Sequence, residues 1–268
     1  MRDRLRGAGG RAALLLLVAA VACDMSLAAE DELGDQYAAA LRAQLPVIDD
    51  AEATAYLSAM GRRLTQVADS ASRDWHFYLV DDTTVNAFAV PGGHIFVHRG
   101  LVERSRNYAE LAGVLGHEVA HVTLRHSVDQ LKKRTRTNVL VTLFCSVVSV
   151  CGSAVAQIAL DVGGQVLFAK YSREDESEAD SAAVGYLVAA GVDPRGIVTM
   201  FEQFAEQRGR DPTALDAWFG SHPLEESRIA RTSALVRAVD GGRLASLDGA
   251  GSGFVEFRES VARRRSGR

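Results

Sequence analysis

Apolar residues recur every three or four positions through residues 31 to 68, in DQYAAALRAQL and again in AEATAYLSAMGRRLTQVA, the spacing that lines one face of a helix. The period then changes. WHFYLVDD (Trp75 to Asp82) is aromatic and β-branched like a strand, and VNAFAVPGGHIFVHRGLV predicts two short strands around a Pro91-Gly92-Gly93 turn. Helical spacing returns from Asn107 to Lys133 and dominates again from residue 176 to 240. After Asp240, GGRLASLDGAGSG reads as a flexible linker to a short basic tail, so that 241–268 are expected to be solvated. The succession predicts an α+β chain, mainly helical, with a small β-sheet and one domain over residues 30–240.

Two apolar stretches fall outside that pattern. At the N-terminus, MRDRLRGAGGR carries four arginines ahead of the apolar run Ala12 to Ala22, which is too short to span a bilayer and has the build of an export signal over residues 1–28. Ser26 to Ala28 suit cleavage after small residues. AAVAC, ending at Cys23, is similar to the bacterial lipobox with Ala20 in place of the usual leucine, and Asp24 then resembles an inner-membrane retention signal. Either exit places the mature chain outside the cytoplasm, in the periplasm, with Cys23 as a possible lipid anchor. The second stretch is Thr137 to Leu160, uncharged and preceded by KKRTR.

Composition narrows the class. The chain has 268 residues, 47% hydrophobic and 24% charged, enough for one substantial core. A net charge of −4 with no broad basic excess argues against nucleic acid as a partner. Beyond Cys23 only Cys145 and Cys151 remain, either a disulfide or two small buried apolar residues; no CxxC pair provides a cysteine metal site.

The chemistry concentrates in LAGVLGHEVAHVTLRH (Leu111 to His126). On a helix, His117 and His121 share a face one turn apart, so both imidazoles can reach one ion. Glu118 is rotated by one residue, near a metal-activated water without being a ligand, which makes HExxH two ligands and a general base. The bland alternative is a core helix that carries three polar residues by chance. A third ligand from this helix is not available by the metzincin pattern, since Leu124 and Ser127 stand where glycine and histidine would be needed. His126 lies nearly opposite His117 on the helical wheel and reads as structural. YSREDESEAD (Tyr171 to Asp180) offers Glu176 as a ligand and Asp180, four residues on, as an acceptor for the non-ligating nitrogen of a zinc histidine. The alternative for this acidic run is a solvated helix start, which suits Glu174 and Asp175.

These segments together resemble the M48 peptidases, zinc metallopeptidases related to CaaX-prenyl endopeptidases and to bacterial quality-control proteases. Asn86 to Val102 is similar to the strand pair that precedes the family's active helix, LGHEVAHVTLRH to that helix, and YSREDESEAD to the S-R-x-x-E-x-E-A-D segment that brings the third ligand. SHPLEESRIAR (Ser221 to Arg231) is similar to the family's late His-Pro segment. The resemblance implies a zincin-like domain with the sheet beside the HExxH helix. It also implies one Zn2+ per chain on His117, His121 and Glu176, Asp180 behind them, Glu118 as base, and His222 and Arg228 as active-site residues, one or the other stabilising the oxyanion. Taken alone, His222 is a lone histidine beside a proline. His94 and His98, four apart on a strand with glycine flanks, read as structural or surface residues.

The implied activity is endopeptidase cleavage of misfolded or membrane-associated polypeptide, in envelope protein quality control. The strand at Asn86, Ala87, Phe88 and Ala89 can take an extended substrate by β-addition. A binding or chaperone-like module with a structural zinc has no use for Glu118, and a zinc hydrolase of a non-peptide substrate is the third reading. One membrane pass through 137–160 would separate His121 from Glu176 across the bilayer. That run is therefore expected to pack on the domain, near the membrane surface, or to turn back near Gly152.

Overall fold

The computed structural model describes residues 25–133, 170–210 and 215–263. Cys23, Cys145, Cys151 and the 137–160 run lie outside the described residues. Among the described residues no helix is long and apolar enough to cross a membrane.

The first helical pattern forms two helices, α1 (Leu27–Gln44) and α2 (Ala51–Ala68), parted at Pro46 and each started by a side-chain cap, Ser26 on Ala29 N–H and Asp50 on Ala53 N–H. Strands β1 (His76–Val80), β2 (Ala87–Val90) and β3 (His94–His98) form a sheet in the order β1-β3-β2, with β1 parallel and β2 antiparallel to β3. Helix α1 covers one face, where Ala38 and Leu41 meet Val80, Phe88, Val90 and Phe96. The other face, with Phe77, Leu79, Ala87, Ile95 and Val97, belongs to the main core. Burial on both sides explains why these strands are apolar throughout rather than alternating.

A short helix α3 (Arg99–Arg104) leads into α4 (Tyr108–Thr123), which is capped by Asn107 and buried from Tyr108 to Val122. Helix α5 (Arg173–Ala189) and helix α6 (Arg195–Arg208) pack across α4. The α4–α6 crossing is a backbone contact: a Cβ on Gly113 would sit 2.8 Å from the Ile197 backbone, and one on Gly196 would sit 2.2 Å from the Ala109 carbonyl. Helices α7 (Asp216–Ser221), α8 (Glu226–Arg237), α9 (Gly241–Ala245) and α10 (Phe254–Arg263) follow. The mainly helical α+β architecture matches the sequence pattern.

Two segments differ from expectation. Residues 241–263 are not a linker and solvated tail: α10 turns Phe254, Phe257 and Val261 into the core, and Phe257 stacks on Tyr56 at 4.6 Å. The spacing of those three residues is a helical face, carried behind a glycine-rich approach that reads as a loop. The helix expected from Asn107 to Lys133 is interrupted at Leu124 and Arg125, with Arg125 at φ +60°, and resumes from 126 to 133. Buried Glu30 holds Arg125 there at 2.7 Å while also pairing with Arg73 at 2.8 Å.

Candidate metal centre

Helix α4 is buried on every side, so its polar residues face protein rather than water. His117, Glu118 and His121 are all fully buried. Helix α5 brings the third group. Ser172 and Asp175 form a capping box at its start, which commits Asp175 to the backbone N–H of Ser172. Glu174 is exposed, whereas Glu176 and Asp180 are buried against α4. The C-terminal end of α7 supplies His222, whose ring stacks on Trp218 at 4.5 Å.

One donor atom from each of His117, His121, Glu176 and His222 lies within 4.8 Å of the others. The Nε2 atoms of His117 and His121 face each other at 3.0 Å, a separation that one proton or one cation can bridge. Glu176 Oε1 is 3.3 Å from His121 Nε2 and 2.9 Å from His222 Nδ1. The electrostatics suit a cation. Burial disfavours a charged His117, yet the carboxylates of Glu176 and Asp180 outweigh it and raise its pKa to about 9. Burial and the neighbouring His117 push His121 well below its ordinary value, keeping a lone pair available. Glu176 is held well below the usual carboxylate range, because His222 and His117 overcome its burial.

Glu118 stands apart from this set. Both of its oxygens are buried without a hydrogen-bond partner, and the nearest cationic candidate, His222 Nε2, is 3.5 Å away. Burial raises its pKa, His222 and His117 opposing. Burial thus favours the protonated form of this carboxylate, which suits a group that takes up a proton and later gives it back. The orphaned oxygens of Glu118 and the unpartnered Nε2 of His222 are polar atoms that nothing in the protein satisfies. Together with a donor set of imidazole and carboxylate, they fit a zinc ion and a water beside it.

Behind the four donors, Asp180 Oδ1 is 3.0 Å from His117 Nδ1. Arg228, expected beside the reacting carbonyl, lies deeper. Its Nε and Nη2 clasp Asp180 at 2.6 and 2.8 Å, its Nη1 pairs with Glu176, and its guanidinium covers the Phe201 ring. These contacts consume the fork, so the guanidinium holds the carboxylates in place. Strand β2 is an edge of the sheet, packed on α4, and the Ala89 amide adds a smaller stabilising influence on the Glu118 carboxylate. Asn86 precedes it and accepts His98 N–H through its carbonyl. His94 and His98 are buried away from this cluster, on Asp35 with Tyr78 and on Thr84 respectively.

A sequence profile for peptidase family M48 matches residues 51–236, a span that contains the whole cluster. The chain belongs to peptidase family M48. Family M48 uses zinc, and the four buried donors are the residues able to hold it here. The chain is 31% identical over 215 residues to the beta-barrel assembly-enhancing protease of Escherichia coli (strain K12), covering 77% of this chain and 43% of that protein. It is 30% identical over 178 residues to the mitochondrial metalloendopeptidase OMA1 of Schizosaccharomyces pombe, covering 66% of this chain and 51% of the relative. To the metalloprotease YcaL of Escherichia coli (strain K12) it is 30% identical over 182 residues, covering 64% and 68%. The chain thus spans less than half the length of the beta-barrel assembly-enhancing protease it matches.

Sequence reasoning missed several members of the site. Tyr171 stacks on His121 with centroids 3.8 Å apart, and its hydroxyl is 2.9 Å from Ser127 Oγ. Trp218 and Phe201 pack on His222 and Arg228. An aromatic directly before the acidic segment was the only available signal for Tyr171; the other two look like ordinary core residues.

Proposed function

We propose that the protein is a zinc endopeptidase whose resident ligands are His117, His121 and Glu176, with Glu118 as the base. The observation that carries the reading is Glu118: a buried carboxylate, both oxygens unpartnered, beside four clustered donors. A zinc that only held the fold would need no such residue, which counts against a chaperone-like module. Bound there, zinc supplies Lewis-acid polarisation of the scissile carbonyl and of the attacking water. Glu118 takes the proton from that water and passes it to the departing amine nitrogen. A catalytic zinc keeps three protein ligands and an open position, so His222, 3.5 Å from Glu118, is assigned to the oxyanion. Arg228 and Asp180 orient the ligands rather than touch substrate.

The edge formed by Asn86 and the β2 residues Ala87, Phe88 and Ala89 is the proposed seat of an extended substrate segment, paired by backbone hydrogen bonds that any sequence can make. This favours unfolded or membrane-associated polypeptide over a small non-peptide substrate, and the name of the beta-barrel assembly-enhancing protease of Escherichia coli supports a role in envelope protein quality control. The apolar leader ending near Cys23 supports export to the periplasm, with Cys23 as the proposed lipid anchor. Glu118→Gln tests the assignment. It should bind one zinc per chain and lose casein cleavage; near-normal turnover in that variant refutes the role of Glu118.

A further inference from the structure

The two histidines of α4 present their second ring nitrogens to different acceptors. His117 Nδ1 faces Asp180. His121 Nδ1 lies 2.9 Å from Nδ1 of His126, whose Nε2 is 3.3 Å from Glu178 Oε2. His126 is buried, 4% exposed, so no solvent competes for its ring. On a continuous helix His126 would stand about 140° from His121 and could not meet it. The break at Arg125, in the left-handed region, swings it back. The Arg125 guanidinium is clamped by Glu30 and by the Met25 carbonyl, which holds the turn from outside the helix.

Proton accounting leaves one arrangement. For His121 to aim a lone pair from Nε2 at a cation, its proton must sit on Nδ1 and be donated. The atom opposite, His126 Nδ1, must accept it. The proton of His126 then sits on Nε2, where the Glu178 carboxylate can only accept. The chain of hydrogen bonds therefore runs in a single direction, from His121 to His126 to Glu178.

We propose that His126 is a positioning residue for the metal ligand His121: it holds the imidazole in its Nδ1–H form and aims Nε2 at the ion, while Glu178 fixes His126 in turn. The proposal rests on the zinc reading of the same site. His117 and His121 then differ in backing, one on a carboxylate and one on an imidazole.

The test uses the full chain, with zinc affinity measured by chelator competition, the visible spectrum of the cobalt(II)-loaded protein, and melting of the chelator-treated protein. In His126→Leu, zinc affinity should fall about 10- to 100-fold, as losses behind a ligand typically do, and the cobalt spectrum should shift. His126→Asn, whose Oδ1 stands near the place of Nδ1, should recover most of that loss. Both variants should melt together in chelator. Glu178→Ala, at an exposed carboxylate, should weaken zinc in the same direction and by less. Wild-type affinity and spectrum in His126→Leu overturn the proposal, as do equal losses in Leu and Asn. If His126→Leu does not fold, unchanged zinc affinity in Glu178→Ala overturns it instead. A wild-type protein that binds no zinc overturns the zinc reading itself, an outcome distinct from these.

Discussion

Arg228→Ala would remove the one guanidinium that neutralises two buried carboxylates. Arg228, Asp180 and Glu176 are each no more than 2% exposed, and Arg228 makes two hydrogen bonds to Asp180 besides its pair with Glu176. Removing one partner of a buried ion pair costs about 3–5 kcal/mol, because the remaining charge stays desolvated. Against a total stability of about 5–15 kcal/mol, that is a large share. In a chain of this size each kcal/mol moves the melting temperature by about 2–4 °C, so a drop of about 6–20 °C is expected in excess chelator. Adding zinc should recover part of it, since the cation opposes the charge of Glu176. Arg228→Lys keeps the charge without the planar fork and should fall between. The assay is thermal unfolding of the three proteins with chelator and with zinc. A drop of less than about 2 °C for Arg228→Ala in chelator would show that the carboxylates are compensated in another way and refute the reasoning.

Glu176→Gln should lose zinc and activity together, and Glu174→Gln, exposed on the same helix, should keep both; full zinc occupancy in Glu176→Gln by metal analysis contradicts the ligand assignment. Phe257→Ala should destabilise by about 3–5 kcal/mol in denaturant unfolding, as expected for a buried phenylalanine, whereas a solvated tail would register within about 0.5 kcal/mol. Burial lowers the pKa of His98, with Asp82 opposing, so the unfolded chain takes up that proton first as pH falls below about 6.5. The contribution of neutral His98 is complete above that value and is lost as pH falls through the folded pKa. His98→Gln should therefore flatten the acid side of the stability profile, measured by melting between about pH 7 and pH 5, and an unchanged slope contradicts the assignment.

Much of the fold was legible because its elements obey one period each. The alternation of helical and strand spacing located α1, α2, the three strands and α4, and the four-residue separations His117–His121 and Glu176–Asp180 placed the candidate site residues on two helical faces. What failed to show was non-local. The break at Arg125 depends on Glu30, nearly a hundred positions earlier in the chain, so helical spacing carried His126 to the wrong side of α4. Arg228 bears the chemistry of an oxyanion partner in sequence, and only the arrival of Asp180 and Glu176 reveals that its donors are taken. The α10 face was spaced correctly but hidden behind glycines that usually mark disorder. Tyr171 lies against His121, and Trp218 against His117, only through tertiary contact.

The close crossing of α4 and α6 acts as a gauge for the site. Gly113 meets the Ile197 backbone and Gly196 meets the Ala109 carbonyl, so each glycine is obstructed by main chain that cannot rotate aside. The closest approach of the two helices is therefore set by peptide groups in contact, and a side chain added at either glycine would have to push them apart. Phe201, one turn along α6, is thereby delivered at a set height to His117, 6.3 Å between rings, and to the underside of Arg228. Any side chain at either glycine must therefore displace a whole helix, and with it the frame that holds His117 and Arg228 in register.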